Sequence, residues 1–402
     1  MESAPSPRVP RRALTFIFVT ILLDIMGAGI LMPVVPYLVR PFRSDALTIG
    51  MLALTFSVAQ FFAAPVLGAL SDRHGRRPVL VISVFGSAIG YALFGIGGAL
   101  WMFYLSRLID GFTGGNLTAA QAYIADVSNA ENRTKNFGLV GAAFGLGFIV
   151  GPSIGGVLAK VSLNAPAWAA AGIALTTACF GWFVLPESLP AALRRPHPLH
   201  IGDFNPFALL GKATRTPTQR ALFLGIFTSR FAMMGLQTNF AVYTLNRFDY
   251  SPSQNAVVFT VLGATATFMQ GFLIRRIAGR YSDRGMALTG LVIMVIGMAL
   301  VGGVPAGWML SPAIVVLAVG SGLVNPTLQS LIARAGTPEE QGVMFGASAA
   351  MTSLTAIFGP AWAGLLFDHV AWSAPYWSGA VFLAAGWFAI ERAVREEGDA
   401  PA

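Results

Sequence analysis

The sequence predicts an all-α membrane protein of twelve transmembrane helices, laid out as two parallel six-helix repeats. Three observations carry that prediction: a composition too apolar for a water-facing surface, apolar stretches of bilayer-spanning length, and a half-chain repeat. Of 402 residues, 55% are hydrophobic and 11% charged, and the mean hydropathy is +0.67. Soluble domains carry about 25% charged residues, so a soluble enzyme is all but excluded.

In chain order, apolar spans 1 to 6 fall at 13–39, 46–70, 78–98, 101–125, 136–159 and 166–185. Spans 7 to 12 fall at 220–245, 252–274, 286–304, 312–334, 341–366 and 374–391. A polar connection, 186–219, separates an N-terminal bundle (1–185) from a C-terminal one (220–402). Each stretch has the length of a bilayer-crossing helix. A helix satisfies its own backbone groups in hydrocarbon, and the stretches are too long for barrel strands. Span 1 is too long, and lacks the small-residue cleavage site, for a removed leader.

Loop charge sets the orientation. The side holding the N-terminus collects 20 of the 26 Lys and Arg residues, the opposite side 4, and Arg107 and Arg230 fall inside spans. Both termini and the connection are therefore expected in the cytoplasm, in a multi-pass cytoplasmic (inner) membrane. The net charge of +8 follows from this topology, with no need for nucleic acid. Cys179 has no second cysteine to pair with and reads as a small packed thiol. His74, His197, His200 and His369 lack ligand spacing, so no metal or cofactor is expected.

The repeat has an offset of 208 residues: Gln121 meets Gln329, Glu131 meets Glu339, Gly151-Pro152 meets Gly359-Pro360, and Gly156 meets Gly364. Parallel repeats of this kind belong to rocking transporters with a site near the membrane midplane between the halves.

Between spans 2 and 3 stands Gly68-Ala-Leu-Ser-Asp72-Arg73-His-Gly75-Arg76-Arg77. The glycines allow a tight turn and close helix approach, and Asp72 with the arginines can form a charged latch facing a helix N-terminus. Orientation and loop folding alone are the plainer alternative. This segment resembles the signature loop of the major facilitator superfamily. Its second-half copy keeps Gly271, Leu273, Arg275, Arg276 and Gly279, with Arg275 where the acid would stand. Gly147, Gly151-Pro152 and Gly155-Gly156 in span 5 resemble that superfamily's antiporter motif, although such a stripe also serves packing. With Leu23-Asp24 through Gly29, Arg107 through Asn116, and Asn246-Arg247-Phe248, the chain resembles the tetracycline-efflux branch of twelve-span drug:proton antiporters. The resemblance implies the major facilitator fold, proton coupling and a role in antibiotic resistance. Where that branch carries further acidic and histidine residues, this chain has Gly90, Ala266 and Met294, which detaches tetracycline itself from the expectation.

Asp24, Arg107, Asp110 and Arg230 lie well inside spans, and intramembrane charge is a functional candidate by default. Arg107 and Asp110 share a helix face, continued by Gly114, Thr118 and Gln121. Asp24 is the first candidate proton carrier and Asp110, modulated by Arg107, the second; a static salt bridge is the alternative for the pair. Arg230, Gln237, Asn325, Gln329, Asn116 and Gln121 are candidate substrate contacts, with Arg230 suited to an anionic or polar group. Met26, Phe231 and neighbouring Met and Phe residues suit a lipophilic guest or ordinary packing. Trp101, Trp168, Trp308, Trp372 and Trp377 read as interfacial anchors.

The expected function is export of small amphiphilic or drug-like compounds by proton antiport through alternating access. The partners are protons, such a substrate and the bilayer, and the protein works as a monomer. The alternative is a proton-coupled importer or facilitator of a small metabolite. Neither a paired-carboxylate, a metal-ligand nor a nucleophile–base set supports an enzyme, and no loop is long enough for a receptor domain.

Overall fold

A computed structural model describes residues 11–114, 116–128, 133–189, 194, 210–211, 213–277, 280–336 and 340–398. Helices dominate: α1 (Arg11–Leu31), α2 (Val35–Val39), α3 (Ala46–His74), α4 (Arg76–Ile96), α5 (Leu100–Thr113), α6 (Asn116–Asp126), α7 (Arg133–Leu158) and α8 (Ala165–Val184). In the second half follow α9 (Pro217–Phe248), α10 (Pro252–Phe268), α11 (Ile274–Ile277), α12 (Asp283–Gly303), α13 (Leu310–Arg334), α14 (Gln341–His369) and α15 (Ala374–Gly398). They account for twelve apolar spans. Span 1 is α1 with α2, span 4 is α5 with α6 broken at Gly114, and span 8 is α10 continued through a π-helical turn, Met269–Leu273, into α11.

Eight of these spans are long and apolar enough to cross a bilayer on composition alone. The other four are spans 1, 4, 7 and 12, and the first three hold the intramembrane charges. Phe62, Ile82, Phe183 and Val381 stand more than half exposed, an arrangement that suits lipid and would be an aggregation liability in water. Trp101, Trp168, Trp308, Trp372 and Trp377 are all exposed. Cys179 departs from the expectation of a packed thiol: it is exposed on α8, whose neighbouring Phe180 and Phe183 also face outward.

Residues cluster into two units. The first holds 1–34 and 58–200, the second 35–57 and 201–402, so α3 divides between them at Ser57/Val58. Within the first unit, glycines of α7 bring it against α1. A Cβ on Gly151 would stand 2.8 Å from the Met26 carbonyl, and one on Gly155 would clash with the Ile30 carbonyl. Within the second, a Cβ on Gly359 of α14 would meet Met234 of α9 at 3.2 Å. The two Gly-Pro steps matched by the repeat thus sit at matched contacts, span 5 on span 1 and span 11 on span 7.

Helix starts follow local chemistry. Thr216-Pro217 and Ser251-Pro252 open α9 and α10 with capping boxes closed by Gln219 and Gln254. Proline inside α3, α7, α13 and α14 (Pro65, Pro152, Pro326 and Pro360) breaks the backbone ladder at each position.

Candidate functional site

In the first unit, three of the four intramembrane charges gather around α4. Arg107 Nη1 lies 3.2 Å from Asp110 Oδ2, and both side chains are largely buried. The i,i+3 spacing on α5 brings the pair together. Gly90 leaves the room for it: a Cβ there would meet Asp110 Cβ at 3.1 Å. Ser87 hydrogen-bonds Asp110, and Ser106 Oγ donates to the Gly90 carbonyl at 2.7 Å. The Arg107 guanidinium also sits over Phe94 and Tyr91, 5.0 and 5.8 Å from the ring centroids.

The buried Tyr91 ring approaches α1 where a Cβ on Gly27 would touch it at 3.1 Å, and its hydroxyl lies in the field of both Asp110 and Asp24. Asp24, half-buried on α1, therefore belongs to the same cluster. Ser87 and Tyr91 escaped the sequence reading because serine and tyrosine are unremarkable in an apolar helix. The available signal was Gly90, where the resembled branch carries an acid.

The antiporter-like stripe packs on α1 just past Asp24. A Cβ on Gly147 would meet Ile25 Cγ2 at 2.7 Å, and one on Gly29 would meet Pro152 Cδ at 3.2 Å. Gly156 is buried on the same helix. Met26 is 8% exposed and packs in this contact.

At one end of the first unit, the expected loop of charges reduces to a single residue. α3 runs on to His74, α4 begins at Arg76, and Gly75 between them has φ 105, a left-handed conformation that favours glycine. Asp72 pairs with Arg76, whose Nε also lies 3.1 Å from Asp126 Oδ2. Glu187, just past α8, accepts hydrogen bonds from the Arg76 and Arg77 backbone N–H groups at 2.8 and 3.2 Å. It thereby caps α4, whose Gly75 offers no side chain for the purpose. Ser188 Oγ donates to Asp126 at 3.0 Å, and the Arg77 guanidinium reaches the Trp182 carbonyl. Arg73 is exposed and stands apart from these pairs, and a Cβ on Gly68 would meet nothing within 4 Å. Sequence reading assigned no role to Glu187 or Asp126. The uncapped glycine at the head of α4 was the clue that an acceptor had to come from elsewhere.

The second unit holds Arg230 and Gln237, half-buried on α9, and Asn325, half-buried on α13. Gln329 Nε2 donates to Ser348 Oγ at 3.1 Å. Phe231 is 6% exposed within an aromatic group: 5.1 Å from Phe227, 4.9 Å from Trp362 and 5.6 Å from Phe382 between centroids. Gln121 is exposed on α6, whereas the Asn116 side chain and Gly279 lie outside the described residues. Among the described residues no cluster of His, Cys, Asp and Glu could hold a metal ion.

In this unit α3 also begins under two carboxylates. Asp45 accepts from the Thr48 N–H at 2.8 Å, and Asp368 at the end of α14 accepts from the Ala46 and Leu47 N–H groups at 2.9 and 2.7 Å. A Cβ on Gly50 would stand 2.5 Å from the Pro360 carbonyl, so α3 and α14 meet backbone to backbone here.

The sequence profile of the Major Facilitator Superfamily matches residues 17–347 and 222–402. The chain belongs to the Major Facilitator Superfamily. It is 35% identical to the class C tetracycline resistance protein of Escherichia coli, over 92% of this chain and 93% of that one. To multidrug resistance protein 2 of Bacillus subtilis (strain 168) it is 29% identical, over 88% and 89%. Among solved structures it resembles the human organic anion transporter MFSD10 (TETRAN), with TM-score 0.72 and 26% identity over 96% of this chain and 100% of that one. The nucleoside transporter NupG, at 16% identity and TM-score 0.77 over 95% and 99%, shares the fold. As a member of this superfamily the chain is a multi-pass membrane transporter of small molecules, not an enzyme.

Proposed function

We propose that this transporter exports small amphiphilic, drug-like compounds in exchange for protons, with both termini cytoplasmic and six-helix bundles alternating access to the site. The observation that carries the coupling is the cluster of Asp24, Asp110, Arg107 and Tyr91. Two carboxylates and one guanidinium make it formally negative, so one proton brings it to neutrality. Asp24 is the carrier, standing on α1 next to Ile25, against which Gly147 of α7 packs. Asp110, held by Arg107 and Ser87, sets the field that Asp24 feels. A change in the α1–α7 contact alters the water available to Asp24, and with it the carboxyl's hold on its proton.

The drug-resistance names of the relatives support export, and a handful of half-buried groups on α9 and α13 (Arg230, Gln237 and Asn325) supply substrate contacts. Asp72, Arg76, Asp126 and Glu187 hold the cytoplasmic end of the first bundle in one arrangement.

The test is an efflux panel in energised cells or inverted vesicles, with wild type and Asp24→Asn, each with and without a protonophore. Wild-type export should collapse with the proton gradient, and Asp24→Asn should lose energised export while still reaching the membrane. Export that survives loss of the gradient argues against antiport. Unchanged energised export in Asp24→Asn removes that residue from the coupling role. Gradient-driven accumulation in right-side-out vesicles would instead favour import of a small metabolite.

A further inference from the structure

We infer that the second unit contains an anion-recognition site in which Arg230 takes the carboxylate or other oxyanion of an aromatic guest, whose ring lies against Phe227 and Trp362. This names the substrate class for the transport function proposed above and rests on that reading. Arg230 sits mid-helix in α9, far from either end of Pro217–Phe248. Among the described residues no carboxylate lies within ion-pair distance of it, whereas the other intramembrane arginine, Arg107, has Asp110 at 3.2 Å. A guanidinium kept in an apolar span without a protein counter-ion is costly unless something else supplies the charge.

Geometry says what can supply it. Phe227, Met234 and Gln237 stand at i−3, i+4 and i+7 from Arg230, and all four are half-buried on one face of α9. Phe227 stacks on Phe231, centroids 5.1 Å apart and planes at 23°, and Phe231 leads to Trp362 at 4.9 Å. Phe231 itself is packed in, whereas Phe227, Trp362 and Phe382 of this aromatic bank are half-buried, and Phe227 and Trp362 lie on its α9 and α14 sides. Gly359 keeps α14 close, since a Cβ there would meet Met234 and the Phe231 carbonyl. A guanidinium fork on the same helix face as Phe227, itself stacked on the aromatic group, suits a planar oxyanion on a ring: two parallel N–H···O bonds for the acid, and stacking for the body. A cationic guest would meet repulsion in a low-dielectric setting, and a neutral one would leave the fork unanswered.

The experiment uses the full chain in nanodiscs of zwitterionic lipid, with calorimetric binding of 2-naphthoate and of its neutral amide, 2-naphthamide. The expected result is naphthoate binding about tenfold or more tighter than naphthamide. Arg230→Gln should abolish that preference, Arg230→Lys should keep part of it, and Phe227→Ala should weaken both probes alike. Thermal melts establish that each variant is folded. Equal binding of the two probes, a preference that survives Arg230→Gln, or no naphthoate binding by folded wild type overturns the site. Binding needs no gradient, so failure of proton-driven export would leave this comparison standing, and failure here would leave antiport untouched.

Discussion

Arg107 in the first unit has its carboxylate three residues away on the same helix, a serine behind that carboxylate and two aromatic rings beneath its guanidinium. Arg230 in the second unit has aromatic and methionine neighbours along α9 and, among the described residues, no ion pair. Both lie inside helices, yet among the described residues only Arg107 has an ion-pair partner. A repeat therefore need not duplicate chemistry. The matched Gly-Pro contacts repeat how the helices touch, while the charges differ: an arginine with two acids in the first unit, and an arginine with no ion pair among the described residues in the second.

The strongest way to break that comparison is to remove the carboxylate. Asp110→Asn takes away the group that compensates Arg107, at a cost of about 3–5 kcal/mol for a buried pair. It should appear as a large drop in the melting temperature of the purified protein. Replacing both members, Arg107→Leu with Asp110→Leu, should recover most of the loss, because the penalty lies in the unmatched charge. Arg230→Leu should cost little or even stabilise, since no protein partner is stranded. A melting temperature as low for Arg230→Leu as for Asp110→Asn would erase the distinction between the units.

How much of this the sequence could reveal differs by feature. The spans were plain because a bilayer demands long apolar stretches, but apolarity reports the hydrocarbon and not the helix. Span 2 was expected to stop at residue 70, and α3 runs to His74, where the Asp72–Arg76 pair bridges the turn past the apolar stretch. Span 7 likewise starts earlier and ends later than its apolar stretch, because Thr216 caps its start and Asp249, with φ 50, closes its end. Asp24, Arg107, Asp110 and Arg230 were conspicuous as charges in apolar text. Ser87, Tyr91, Glu187 and Asp368 were not: their roles depend on which distant helix end or carboxylate they meet, and no local pattern encodes that.

The two units do share one device, and a middle-sized effect tests it. Glu187 caps α4 in the first unit as Asp368 caps α3 in the second, each carboxylate taking two backbone N–H groups from a helix far off in sequence. Glu187→Gln keeps the shape and removes the charge, which should cost about 1–2 kcal/mol given charge-assisted bonds and partial burial. Asp368→Asn should cost less, because Asp368 is exposed and solvent screens it. Paired melts of the two variants would settle the order, and a larger loss for Asp368→Asn would reverse it.

Asp45 gives the smallest effect and the finest resolution. It caps the same α3 start as Asp368, so the helix has a local acceptor for the Thr48 N–H and a distant one for Ala46 and Leu47. Partial burial pushes the Asp45 carboxyl up. The bonds from the Thr48 hydroxyl and N–H, its own backbone N–H and nearby Arg43 outweigh that and hold it below the usual carboxylate value. A lowered value in the folded state means a contribution that is complete above the unfolded carboxylate range and lost as pH falls through the lowered one. Asp45→Ala should therefore cost about 0.5–1 kcal/mol near neutrality. The gap between its melting curve and that of wild type should narrow only in acid. In an Asp368→Asn background the same substitution should cost more, since the helix start would then have lost its local acceptor and one of the two distant ones. Simple additivity of the two losses would mean that the local and distant carboxylates cap α3 independently.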